Sequence, residues 1–253
     1  MTFPLESRLK RRGCKVVGAG FALPGIVTDD MWLLVARNLG WENVNLTRFN
    51  VVRRLDVVAG NEAKMAAIAQ IPGYATERAP FLNVVDRTDS FIYLSTDIGI
   101  GGAVVRDGEV VMGSHGFAGE IGHLSVAMDG PLCSCGRHGC LEAFAGRRAL
   151  VEAAGIAEDG DATSSEAIDM FLQRWRAGDS DVAKVVDQAA DALVSAIASA
   201  VNLVDVDTVL LGGLWTHFGD ELATVLEGRL RSEILGYPNV KIQIGRASCR
   251  ERV

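Results

Sequence analysis

Residues 116–146 read GFAGEIGHLSVAMDGPLCSCGRHGCLEAFAG, and within this run His123, Cys133, Cys135 and Cys140 are spaced as H-x9-C-x-C-x4-C. One imidazole and three thiolates form a borderline-soft donor set of the kind zinc takes in a tetrahedral shell. Four protein ligands leave no position for a catalytic water. The spacing therefore predicts a structural zinc ion. Gly136 and Gly139 let the short ligand loop fold back on the metal, because glycine takes positive φ without steric cost. Free thiols beside a surface histidine are the plainer reading of these residues, and His138 is a lesser alternative to His123 as the nitrogen ligand.

The composition around this run agrees with a metal. The chain has five cysteines among 253 residues, and three of them crowd into positions 133–140. A reducing compartment disfavours disulfides, so a tight cysteine cluster there points to a bound ion. The chain is 49% hydrophobic with 6 prolines, the make-up of a globular protein of one or two domains. No stretch approaches the ~20 apolar residues of a membrane helix, and the opening MTFPLESRLKRR lacks the apolar run of a signal peptide, which predicts a cytoplasmic location. A net charge of −7 opposes broad binding to DNA or anionic membrane, and RLKRR at 8–12 is too short to reverse it, reading instead as a solvated helix end.

Upstream, KVVGAGFALPG (15–25) reads as a buried strand leaving into a loop, and FIYLSTDIGIGGAVV (91–105) as a second such strand. NEAKMAAIAQ (61–70) is rich in helix formers and opens on Asn61, a good N-cap. Downstream, the apolar positions Val182, Val185, Val186, Ala189, Leu193 and Ile197 repeat with helical period, and that helix feeds the strand DVDTVLLGG (205–213). Alternating strands and helices indicate an α/β architecture. The chain divides near residue 88, giving lobes 1–88 and 89–243. The last ten residues, IGRASCRERV (244–253), carry no apolar period. They can be encoded by ATC GGA AGA GCG TCG TGT AGG GAA AGA GTG, a common short-read sequencing adapter, which predicts a non-native tail.

The run at 116–146 closely resembles the signature of the ROK family (repressor, open reading frame, kinase), in which AGEIGH precedes C-x-C-G-x-x-G-C-L-E. The similarity extends over much of 13–243, including Pro24-Gly25, NLGW at 38–41 and NLVDVDTVLLGG near the end. This resemblance implies a two-lobed actin-like, ribonuclease H-like α/β fold with a structural zinc and a truncated first lobe. It also implies that Glu120, His123 and Glu142 bind sugar hydroxyls and that Asn61 touches the sugar. Carboxylates and imidazole suit that task, since they accept and donate to several hydroxyls at once. Zinc on one side of His123 would fix the loop and so the spacing of both glutamates.

Kinases of the family use the Asp of N-D-A as the base for the sugar hydroxyl, and Glu62 stands there. Lys64 replaces a common Asn. One extra methylene moves the carboxylate by more than about an ångström, a misplacement that can cost about a hundredfold in rate. The kinases' phosphate loop reads G-T-G-I-G, whereas this chain has Asp97-Ile98-Gly99-Ile100-Gly101, and a carboxylate there repels nucleotide. The other phosphate loop, D-x-G-x-T, is not found upstream of Gly18. These departures imply the carbohydrate-binding effector domain of a ROK transcriptional regulator. Its partners would be a monosaccharide or sugar derivative, DNA through a helix-turn-helix not in this sequence, and further copies of itself. The alternative is an ATP- and Mg2+-dependent hexose or N-acetylhexosamine kinase with a relaxed site. A third reading is a zinc-bound fragment without activity, whose first lobe lacks central strands and exposes apolar surface.

Overall fold

Apolar residues repeat along the chain at two periods, and each period finds its own partner surface in the computed structural model, which describes residues 3–16, 18–71, 89–157, 159–236 and 239–244. The first part comprises α1 (Phe3–Arg11), β1 (Ala19–Leu23), β2 (Ile26–Val27), β3 (Trp32–Ala36), β4 (Trp41–Asn45), α2 (Asn50–Leu55), β5 (Val57–Asn61) and α3 (Glu62–Ile68). The second comprises β6 (Phe91–Thr96), β7 (Ile100–Arg106), β8 (Glu109–Val110), α4 (Glu142–Ala145), α5 (Arg147–Ala153), α6 (Ser165–Arg176), α7 (Ser180–Val204), β9 (Thr208–Gly213), α8 (Gly219–Leu230) and β10 (Lys241–Ile244).

The main sheet has the order β10-β9-β6-β7-β8, parallel from β10 through β6 and antiparallel from β6 to β8. Successive strand side chains point to opposite faces. Ile92 and Leu94 of β6 therefore join Val209 and Leu211 of β9 on the face covered by α7. Phe91 and Tyr93 join Leu210, Ala103 and Val105 on the other face, under Ala66, Ala67 and Ile71 of the α3 region. Both faces are buried, which explains why 91–105 is apolar without alternation. The single strand expected there is two strands: the chain reverses at Asp97–Gly99, pairing Thr96 with Ile100.

The long helix read from residue 181 is α7, starting at Ser180 and capped by the Asp179 carboxylate, which accepts from the N–H groups of Asp181 and Val182. Its buried stripe, including Val182, Val186, Ala189, Leu193 and Ile197, is the period seen in the sequence. In the first part, β2, β3 and β4 form an antiparallel sheet over Val27, Leu33, Ala36 and Leu46, and β1 pairs in parallel with β5. That two-stranded sheet leaves Gly20, Ala22 and Val58 open to solvent on one face. Helix α3 follows β5 directly yet packs on the main sheet, so it ties the two parts together. The RLKRR segment ends α1 as a solvated helix terminus. Of the segment set apart as a tail, Ile244 completes β10, and 245–253 lie outside the described residues. No helix among the described residues is long and apolar enough to cross a membrane.

Trp215, fully buried beside the end of β6, donates its indole N–H to Thr96 Oγ1 at 2.6 Å, and both residues are almost inaccessible to water. Replacing Thr96 by Val keeps the shape and strands the indole donor. The T96V variant should lose about 1–3 kcal/mol of stability in urea denaturation, whereas a loss below a few tenths would show that the bond contributes nothing.

Candidate metal centre and adjoining cleft

Between residues 111 and 141 the chain contains only one short 3-10 turn, Ile121–His123, so backbone hydrogen bonds within the loops must place the side chains. Val126 N–H donates to Gly139 O at 2.8 Å, Leu141 N–H to Leu124 O at 2.9 Å and Gly139 N–H to Pro131 O at 2.9 Å. These bonds bring the two ends of the run against each other. Cys133 N–H donates to Arg137 O at 2.8 Å and closes the inner loop. Gly136 and Gly139 both have positive φ, 87° and 70°, and a Cβ on Gly139 would lie 1.5 Å from Ala127 O, so the fold-back excludes any other residue there.

The result is a convergence of His123, Cys133, Cys135 and Cys140, whose ligand atoms all lie within 4.8 Å of one another. Cys133 Sγ is 3.7 Å from His123 Nδ1, and Cys135 Sγ is 3.7 Å from Cys140 Sγ, with all three cysteines free. Tetrahedral zinc with bonds of about 2.3 Å to sulfur and about 2.0 Å to nitrogen requires ligand–ligand separations of about 3.5–3.8 Å. The residues fit the ion. His123 presents Nδ1 to the sulfurs, leaving Nε2 on the far side of the ring, whereas His138 is exposed and places Nδ1 3.1 Å from Gly130 O, outside the cluster. Without a cation the thiols resist ionisation unevenly. Burial and the neighbouring Cys135 and Cys133 push Cys140 up to about 12. Burial raises Cys133, and for Cys135 it is outweighed by donation from Arg137 N–H and the adjoining thiols.

Glu142, the first residue of α4, spans from this centre to the β6–β7 turn. Its Oε2 accepts from Ile100 N–H at 3.0 Å, and its Oε1 accepts from Ser134 Oγ at 2.9 Å and lies 3.7 Å from Cys133 Sγ. A Cβ on Gly99 would come within 2.1 Å of that carboxylate, so the small residue in the turn makes room for Glu142. In the same turn Asp97 pairs with Arg147 at 3.4 Å, and Arg147 also donates to Ser164 O at 2.5 Å. The carboxylate that stands at the first glycine of the resembling kinases' loop thus meets a guanidinium from α5.

Glu120 precedes the 3-10 turn and is open to water, but protein surrounds enough of it to raise its carboxyl pKa. Incomplete hydration outweighs the favourable charges of His123 and Lys64, and Glu142 adds repulsion. Glu120 and Glu142 therefore approach the same space. Asn61 caps α3 as expected, Oδ1 accepting from Ala63 N–H at 3.0 Å and Lys64 N–H at 3.1 Å, while Nδ2 donates to Gly25 O at 2.7 Å. Those two N–H groups are thus engaged by Asn61 itself, and the second Nδ2 proton is the donor its amide retains. Glu62 is half-buried as the first residue of α3. Lys64, two residues on, is buried and donates its ammonium N–H to Gly116 O at 2.5 Å. The sequence marks Lys64 as a departure from the resembling pattern, but its role could not be read there, because its partner is 52 residues away.

Comparison with known proteins gives one family. The model of the ROK family matches residues 5–251. The chain is 29% identical to the xylose repressor of Caldicellulosiruptor bescii over 93% of its own length and 60% of the repressor's. It is 32% identical to the N-acetylmannosamine kinase of Salmonella typhi, over 76% of the chain and 62% of the kinase. It therefore spans about three fifths of the length of these relatives. Among solved structures, a ROK family glucokinase from Streptomyces griseus, in complex with glucose and AMPPNP, superposes with a TM-score of 0.74 at 23% identity, over 96% of this chain and 81% of that one.

Two outcomes follow from the geometry. Purified chain should hold one zinc per molecule by elemental analysis. Chelation at neutral pH, or acidification that protonates the thiols, should release it and speed amide exchange at Val126 and Leu141; unchanged exchange on metal removal would argue against the ion as the closure. Glu120→Gln should raise stability increasingly as pH climbs above the ordinary glutamate value of 4.5 and little below it, since a raised folded-state pKa costs stability where the group is ionised. Urea midpoints of both forms across pH 4–8 measure this, and a pH-independent difference would count against it.

Proposed function

This chain belongs to the ROK family, and from that premise we propose that it is the carbohydrate-binding effector domain of a sugar-responsive transcriptional regulator. The zinc in this reading is structural: His123, Cys133, Cys135 and Cys140 hold it, and it supplies only rigidity to the loop between Glu120 and Glu142. The sugar lies in the cleft bordered by Asn61, Glu120, His123 Nε2 and Glu142, between a partial first lobe at 1–88 and a second lobe at 89–243. DNA contact belongs to a helix-turn-helix module elsewhere in the full protein, because a net charge of −7 opposes broad electrostatic binding of this chain to phosphates. Sugar binding regulates by favouring one arrangement of the two lobes over another.

The observation that carries the regulator reading is the turn Asp97–Gly101. Its acidic residue is fixed by Arg147, and its Ile100 N–H is already taken by Glu142. Backbone donors and small hydroxyl residues are what a phosphate cradle requires, and here one donor is spent and a negative charge is held in place. The kinase reading keeps two specific supports: an N-acetylmannosamine kinase is a 32%-identical relative, and Glu62 provides a carboxylate next to Asn61. ATP with Mg2+ would then be the co-substrate.

Calorimetry on the zinc-loaded chain decides between them. Xylose, glucose or N-acetylmannosamine should bind, ATP with Mg2+ should give no heat, and no sugar-dependent ADP release should be detected. Sugar-dependent ADP release would establish the kinase. Folded, zinc-loaded protein that binds no sugar would leave the inactive-fragment reading.

A further inference from the structure

Lys64 is 5% exposed, one of three buried polar or charged residues among those described. Burying an ammonium without partners is costly, because it loses the hydration of all three N–H groups. Gly116 O accepts one of these, and among the described residues no carboxylate forms an ion pair with Lys64. Three loops meet around it. Asn61, one turn earlier on α3, holds Gly25 O. Gly116 lies against Val27, where a Cβ would come 3.6 Å from the Val27 carbonyl oxygen. The Gly116 segment leads in four residues to Glu120. Glu120 and Asp29 both lie close enough for their charges to act on the ammonium and oppose the pKa-lowering effect of its burial.

An ammonium with donors beyond the one given to Gly116 O, beside an open carboxylate, suits a hydroxyl, which accepts from N–H+ through a lone pair and donates its proton to an acid. We infer that Lys64 is a ligand-binding, specificity-determining residue whose ammonium donates to one carbohydrate hydroxyl that Glu120 engages at the same time. This rests on the carbohydrate reading of the cleft. It differs from a purely structural role, in which Lys64 only ties α3 to the Gly116 loop and affects every ligand alike.

The test is a cycle of two deletions. The tightest binder among glucose, xylose and N-acetylmannosamine is measured by calorimetry on the zinc-loaded full chain, together with its deoxy analogues, each lacking one hydroxyl. Lys64→Met should weaken the parent sugar about tenfold or more, since hydrogen bonds to charged groups are the stronger class. One deoxy analogue should bind wild type and K64M equally, while the others keep the full loss. Uniform weakening across the panel, or none, overturns the inference. Lys64→Gln keeps an N–H for Gly116 and is read in the same way should K64M fail to fold. If the wild-type chain binds no sugar, the carbohydrate reading falls and takes this inference with it. If wild type binds and the variants bind without discrimination among hydroxyls, the inference alone falls.

Discussion

Four side chains from a segment almost without helix or strand must meet at one point, and the rest of the cleft inherits its geometry from that meeting. An irregular loop ordinarily sits at the low-stability end of a structure. Here the backbone bonds of Val126, Gly139 and Leu141 bring the ends of the run together, and the four ligand atoms converge within 4.8 Å of one another. Glu142 follows Cys140 by two positions and is carried directly onto the β6–β7 turn. Glu120 precedes His123 by three and stays exposed. Moving any one ligand moves both acids.

Three of the neighbouring ionic groups are consequently held by protein partners, while Glu120 stays open to water. Asp97 has Arg147, Lys64 has Gly116 O, and Glu142 has two donors from different loops. Contacts of this kind, in partly dry surroundings, are sensitive to small displacements because each loses much of its worth when its partner shifts.

Much of this was legible in the sequence, for identifiable reasons. Thiols and an imidazole at short spacing are chemically distinctive, so the cluster of His123 and the three cysteines stood out, as did the helical period of α7 and the cap at Asn61. The turn at Asp97 was misread as part of one strand because a sheet covered on both faces produces a continuous apolar run that hides the reversal. The pairings that define the cleft were not legible at all. Arg147 reaches Asp97 across 50 residues, Glu142 reaches Ile100 across 42, and Lys64 reaches Gly116 across 52, distances over which a single sequence carries no signal of proximity.

The strand order of the main sheet also constrains the order of events during synthesis. Central strand β6 pairs on one side with its neighbour β7, but on the other Ile92 must meet Val209. On the order of a hundred residues separate them, a long closure that slows folding. At roughly 5–20 residues per second, the ribosome delivers the missing strand on the order of ten seconds later. For that interval a nascent hairpin made of Phe91, Ile92, Tyr93 and Leu94 keeps an open apolar edge, the state most exposed to mispairing and most in need of a chaperone.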